Sequence, residues 1–328
     1  MSEHFKSLIP LIEKKSNISD PAKFHAAVNV IFHDIESKDY DALHGEMWDS
    51  LGVQYDLLSA DLAPFFHDKS NLKLLDIGCG TGLATDMLLK TSAGDKITEV
   101  NLLDTSASML DLAKKRAMSW GKEITTIEGT VDKATGGYDI ILISSVLHHI
   151  PDLGGFLGHV MRIQNNGGIL ITIQDPVSLT SLTDVYHQRV TEYQQHSAKD
   201  PRRNKKPLGE RIANKVKRVF NIPTYIDKVN DQLLKENVIK QPLTETEIWS
   251  VTDIHIEGLP YSIGKGIEKE SLAKNLAQYS QTSYRTYGYF GMLMSNLDKQ
   301  YQLTEKELAS KNDQNGRYFC SAWTKNRS

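Results

Sequence analysis

The sequence predicts a doubly wound α/β fold: between Leu72 and Pro176 short apolar runs alternate with helical segments. Runs that are apolar throughout suit strands covered on both faces, as in a parallel sheet. Alternation sustained over about a hundred residues places helices on both sides of that sheet. The strands expected are Lys73 to Ile77, Glu99 to Leu103, Ile124 to Glu128, Tyr138 to Ser144 and Gly168 to Gln174, with helices at Leu83 to Lys90 and Ser106 to Trp120 between them.

The flanks read differently. Asp20-Pro21 is a helix start, a cap followed by proline at the first helical position. Phe24, Ala27, Val28 and Ile31 then share one face, and Leu43, Met47, Leu51, Leu57, Leu58 and Leu62 extend the helical pattern. After Pro176, residues 178 to 243 look mainly helical and polar. Val251 to Glu257 alternates like a strand, Glu268 to Leu308 reads as helical, and Gly316 to Trp323 reads as a final strand. The organisation predicted is an N-terminal helical region (1–70), an α/β core (71–177), a helical cap insertion (178–250), and the last strands (251–328) with a second helical insertion at about 260–315.

Composition narrows the class. The 328 residues are 40% hydrophobic and 24% charged with a net charge of -3, so bulk charge announces neither nucleic acid nor membrane. The two cysteines, Cys79 and Cys320, form no disulfide framework and fit a reducing compartment. No secretory signal and no run long enough to span a bilayer is visible, so the expected location is cytoplasmic and soluble. No metal-ligand cluster stands at recognisable spacing.

The most informative segment is Leu74-Leu75-Asp76-Ile77-Gly78-Cys79-Gly80-Thr81-Gly82. Glycines serve a sharp turn or a close approach to a ligand, and the helix beyond offers free N–H groups. The dinucleotide pattern G-x-G-x-x-G would need glycine at Leu83; here the third glycine is Gly82. Asp76 at the strand end would repel a pyrophosphate, which favours a ligand without phosphates but with an amino group. Asp104 ends the next strand, 24 residues beyond Gly80, where a carboxylate can accept ribose hydroxyls. Capping the helix near Ser106 is the alternative role for it.

These residues resemble the class I S-adenosylmethionine-dependent methyltransferases. Asp76 to Gly82 is similar to their motif I, and Asp104 to their acidic ribose ligand. Asp139 to Ile150 resembles their fourth strand and following helix start, and Asn166 to Leu170 their turn into strand five. Leu147-His148-His149 is the sequence carried after strand four by a group of small-molecule methyltransferases.

The resemblance implies a mainly parallel, seven-stranded Rossmann-like sheet with N-terminal helices and a helical cap inserted in its C-terminal half. It implies S-adenosyl-L-methionine as cofactor and S-adenosyl-L-homocysteine as product. Asp76 and the loop Gly78, Cys79, Gly80, Thr81 and Gly82 would hold the methionine end, with Ser144 beside it. Asp104 and Thr105 would bind the ribose, and Met109 would pack on the adenine. Where the family has Gly-Asp after strand three this chain has Gly129-Thr130, so Thr130, Asp132 or the backbone at Val131 takes that contact. Tyr40, in Asp39-Tyr40-Asp41, would close over the cofactor, with Tyr55 as a rival.

Methyl transfer is an in-line displacement on an activated carbon, and it needs a base only when the acceptor starts protonated. His148, His149 and His187 are candidates, with His148 preferred because it directly follows the strand-four loop. A satisfied structural histidine is the competing role. Tyr186 is a second catalytic candidate, although Tyr186, Val190 and Tyr193 share a helical face and equally suit packing. Tyr284, Tyr287, Tyr289 and Phe290 could line a substrate cavity or a core.

Insertions at the carboxyl ends of the strands would cap the site and enclose a small substrate, aromatic or anionic. Lys199 to Arg218 is rich in Lys and Arg. It reads as a solvated helix face or, alternatively, as a contact for an anionic substrate, tRNA or an acidic membrane. The functions expected, in order, are methylation of a small metabolite at O, N or C, RNA methylation through that basic stretch, and a catalytically inert cofactor-binding partner. Oligomeric state is not indicated.

Overall fold

The computed structural model describes residues 3–37, 45, 47–198, 223–254, 259–262 and 266–327. The basic stretch and Tyr40 lie outside them. The sheet is built from β1 (Leu72–Ile77), β2 (Ile97–Asp104), β3 (Glu123–Glu128), β4 (Tyr138–Ser144), β5 (Gln164–Pro176), β6 (Tyr279–Tyr287) and β7 (Tyr318–Lys325). Its seven strands run in the order β3-β2-β1-β4-β5-β7-β6. β1 to β5 pair in parallel, and β7 is antiparallel to both β5 and β6. The strand order reverses between β1 and β4, and ligands of open α/β sheets bind at the carboxyl ends of the strands at such a point.

The apolar runs form central strands because both faces are covered. Leu74, Ile140, Leu142 and Ile171 bury against one helical layer, and Leu75, Ile141, Ile143 and Leu170 against the other. Each such side chain contributes roughly 1.5–3 kcal/mol on burial. The first layer holds α3 (Met47–Asp61), α4 (Leu83–Leu89) and α5 (Ala107–Ala117). The second holds α6 (Leu153–Ile163).

The helices outside this sandwich divide unexpectedly. α1 (Glu3–Lys15) and α2 (Pro21–Glu36) share a third core with α8 (Tyr225–Lys235) and α9 (Glu245–Thr252), in which Leu8, Phe24 and Val28 meet Val229, Leu233 and Ile248. The cap is therefore assembled from the N-terminal helices and from part of the segment between β5 and β6. α7 (Asp184–Ala198), which precedes α8 in the chain, packs elsewhere: Tyr193 joins Tyr289, Phe290 and Ala309 of α11 (Lys299–Ser310).

Two sequence expectations are corrected. Val251 and Thr252 end a helix, not a strand, because Thr244 and Glu247 form a reciprocal capping box. That start directs Ile248 and Val251, three apart, into the cap core. The helix expected over Glu268 to Leu308 is only partly present. α10 (Lys269–Asn275) and α11 flank β6, and β6 pairs with β7 from Tyr279–Lys325 to Tyr287–Tyr318. Its Tyr, Ser and Thr content suits a strand, and cross-strand pairing overrides the local helical pattern.

Candidate active site

β1 ends at Ile77 and the chain turns through the glycine loop into α4. Gly78 and Gly80 hold φ of 66° and 51°, which a Cβ disfavours. A Cβ on Gly78 would also lie 2.4 Å from Val146 Cγ2. Around Gly80 nothing lies within 4 Å of that point, and Gly80 lines a cavity, so its missing side chain leaves open space.

The loop is tied to β2. The N–H groups of Gly78 and Cys79 donate to the Leu103 carbonyl at 2.8 and 3.0 Å. Gly80 N–H donates to Asp104 Oδ2 at 2.8 Å, and Ser106 N–H donates to Asp104 Oδ1 at 2.9 Å. The cap of α5 is Ser106 itself, whose hydroxyl accepts from Met109 N–H. Asp104 thus clamps the glycine loop to the entry of α5 while facing the cavity. Burial raises its pKa, and these N–H groups oppose the rise.

Asp76 sits behind the loop, fully buried and off the cavity wall. Its Oδ2 accepts from Thr85 Oγ1 at 2.6 Å, and its Oδ1 has no hydrogen-bond partner. Burial pushes its pKa up to about 7 against the Thr85 hydrogen bond, with the charge of Asp104 adding to the rise.

The cavity measures about 430 Å³, within the range of small-molecule sites. Its wall takes in Gly78, Gly80, Asp104, Thr105, Met109, Thr130, Val131, Ser144 and His148 from the predicted set. Cys79, Thr81 and Gly82 belong to the loop but not to the wall, and Cys79 and Thr81 are buried. Burial drives the Cys79 thiol pKa well up, which leaves it unreactive. Thr130 Oγ1 donates to the Asp132 carboxylate.

Other predicted residues are not brought to the cavity. Tyr186 is buried on α7, where its hydroxyl approaches Gly291, and His187 is exposed. Tyr55 lies in the sheet core. Tyr284 stacks on Phe319 with ring centroids 5.7 Å apart, and Tyr287 donates from its hydroxyl to Gln174. This aromatic cluster is core.

The opposite wall comes from the cap. α2 supplies His25, Asn29, His33 and Glu36, α9 supplies Trp249, and Asp253 follows it. Sequence reasoning missed this wall. A signal was present: His25, Asn29 and His33 recur every fourth residue beside the buried stripe Phe24, Val28 and Ile31. Ser106 Oγ donates to Asp34 of α2, joining cap to core.

His148 stands where the two walls meet. Its backbone N–H donates to Asp175 Oδ1 at 3.1 Å, and its Nδ1 meets the same oxygen at 2.8 Å. Its Nε2 is 3.5 Å from Asp253 Oδ1. Burial disfavours charge on this ring, but the Asp175 hydrogen bond and the charges of Asp175 and Asp253 outweigh it and raise the pKa. His149 Nδ1 lies 2.6 Å from the Thr252 carbonyl; burial and the neighbouring imidazoles hold its pKa well below the ordinary value. No Lys or Arg is among the described residues of the wall.

Residues 75–170 match the family model described as a methyltransferase domain. Over 106 residues the chain is 35% identical to the ubiquinone biosynthesis O-methyltransferase of Bradyrhizobium sp. (strain ORS 278), covering 31% of this chain and 39% of that protein. Over 153 residues it is 24% identical to the protein of the same name from Xanthomonas oryzae pv. oryzae (strain PXO99A), covering 42% and 60%. The structure of magnesium protoporphyrin IX methyltransferase from Synechocystis PCC 6803 with bound SAH superposes with a TM-score of 0.38 at 15% identity, covering 84% of this chain and 83% of that one. The matched core belongs to the class I S-adenosylmethionine-dependent methyltransferases. The chain spans less than two thirds of the length of these curated relatives. Among the described residues no helix is long and apolar enough to cross a membrane.

Proposed function

We propose that the protein transfers the methyl group of S-adenosylmethionine to an O, N or C atom of a small molecule held in the cavity. One observation carries this reading: the glycine loop and Asp104 open into the same cavity as the cap side chains, so cofactor and acceptor share one compartment.

The residues present fit the cofactor. The open space at Gly80 admits close backbone approach. Asp76, beneath the loop with a spare carboxylate oxygen, favours a positively charged group nearby. Asp104 offers remaining lone pairs to ribose hydroxyls, and Met109 and Val131 give an apolar seat for a base. Bound there, the cofactor supplies a methyl carbon already activated by its sulfonium. The chain's own residues bind, orient and exclude water. His148, fixed by Asp175, marks the acceptor end.

The acceptor half of the wall combines Phe32, Phe156 and Trp249 with Glu36 and Asp253. With no described cationic side chain except imidazoles, it favours a neutral or cationic molecule with an apolar, aromatic body over an anion. The test is methyl transfer from labelled cofactor to a metabolite panel, with binding followed against salt. Turnover with a small acceptor and a shallow salt response is expected. A steep salt dependence with RNA as acceptor, or saturable cofactor binding with no transfer to any acceptor, would overturn it.

A further inference from the structure

We propose that His148, His149 and Asp253 form a site for a divalent transition-metal ion at the acceptor end of the cavity, and that the molecule methylated binds this ion through oxygen. The second half rests on the methyltransferase reading above; the first rests on side-chain geometry alone.

One potential donor atom from each of the three residues lies within 4.8 Å of the others. His148 Nε2 and Asp253 Oδ1 are 3.5 Å apart. Two ligands of one tetrahedral ion, each at about 2.0–2.2 Å, stand about 3.3 Å apart, so this pair needs little adjustment.

On His148 the nitrogen away from Asp253 is already committed; His149 holds Nδ1 toward both Thr252 and Asp253, 4.0 Å from Oδ1, so it reaches the ion through Nε2 with a shift of its ring. His148 Nδ1 meets the Asp175 carboxylate at 2.8 Å, and His149 Nδ1 meets the Thr252 carbonyl at 2.6 Å. A carboxylate and a carbonyl accept here, so each Nδ1 carries the hydrogen. Each neutral ring then keeps its lone pair on Nε2. A carboxylate or carbonyl behind the ring is the support that metal-binding histidines have. The neighbouring His33 lies outside this set, its Nδ1 3.3 Å from Glu36 Oε2.

Charge points the same way. Asp175 and Asp253 are both buried, and Asp175 Oδ2 has no hydrogen-bond partner. No described Lys or Arg lines the cavity to balance them. Buried carboxylates are costly without a counter-charge; a protonated His148 between them balances one, and a divalent ion on the neutral rings balances both. Two imidazoles and one carboxylate suit Zn²⁺, Co²⁺ or Fe²⁺ rather than Mg²⁺ or Ca²⁺, which take oxygen ligands. Three protein ligands leave coordination positions open. All three side chains lie on the cavity wall, so those positions are available to an acceptor hydroxyl or carbonyl oxygen.

The test uses the full chain, untagged and stripped with chelator. Titration with Co²⁺ is expected to give one equivalent bound, with visible d–d absorption that Zn²⁺ abolishes. Asp253→Asn and His148→Gln are each expected to weaken binding roughly tenfold or more. His196→Ala, at the surface pair His196–Asp298, is expected to leave it unchanged. Acetohydroxamate, a bidentate oxygen donor, should shift the Co²⁺ spectrum; no shift overturns the oxygen-acceptor half. No binding at millimolar Co²⁺, or binding that survives both substitutions, overturns the site. If neither variant folds, X-ray absorption of the cobalt-loaded wild type decides: two imidazoles support the site and an all-oxygen shell overturns it. Titration with S-adenosylhomocysteine on the same samples reads the cofactor assignment separately.

Discussion

The two halves of the cavity recognise by different means. The half at the sheet is opened by backbone at Gly78 and Gly80, where no side chain stands and Asp104 clamps the loop, with Met109, Val131 and Ser144 beside it. The half at the cap is made of side chains, with imidazoles, carboxylates and aromatic rings from α2, α9 and the exit of β4. A backbone cradle accepts one ligand shape and tolerates little change. A side-chain wall can be rewritten residue by residue without disturbing the sheet. This division suits an enzyme with a constant cofactor and a variable acceptor.

The comparison can be broken first at the loop. Gly80→Val should lower S-adenosylhomocysteine affinity by roughly a hundredfold or more. The side chain fills the open space, and its φ of 51° adds about 1–2 kcal/mol of strain. Calorimetry showing normal affinity would contradict the assignment of the loop.

Asp76 offers the next largest effect, on stability. Its folded pKa of about 7 lies well above the ordinary carboxylate value. As pH rises, the unfolded chain loses this proton first. The stability held by the protonated, buried form is therefore complete below about pH 4, declines up to about 7, and is level above. The span is on the order of 4 kcal/mol. Urea unfolding across that window should show this decline in the wild type and its loss in Asp76→Asn. Parallel pH profiles would show that the buried carboxylate is compensated in some other way.

Asp104→Ala should weaken S-adenosylhomocysteine binding by roughly 10- to 100-fold, since a hydrogen bond to a charged group contributes about 1.5–3 kcal/mol. The fold should survive, because the loop keeps its backbone hydrogen bonds from Gly78 and Cys79 to Leu103. Unchanged affinity in a folded variant would remove Asp104 from the site. The smallest effect belongs to Tyr186→Phe. Tyr186 lies off the cavity wall, so methyl-transfer rates should change by less than about twofold, and a larger loss would return it to the acceptor side.

The sheet half was legible because it is local in sequence. Asp76, Gly78, Gly80 and Asp104 fall within two adjacent strand–turn units, and their spacing encodes the turn itself. β4 was predicted with the bounds Tyr138–Ser144 that the structure has. The cap half was not legible. His148 and Asp253 are separated by more than a hundred residues, and the helices between them divide among three cores. Tyr279–Tyr287 carried a helical pattern until β7 claimed it as an edge strand.

By itself the sequence determined the order of strands and helices in the core, the glycine loop and the carboxylate that faces it. Those depend on periodicity and on backbone angles only glycine takes easily. Tertiary structure alone decided that α1 and α2 join α8 and α9 over the carboxyl ends of the strands, and that Asp175 and Asp253 flank His148. Contacts between distant segments are selected by the burial they achieve together, and no single segment carries a record of its partner.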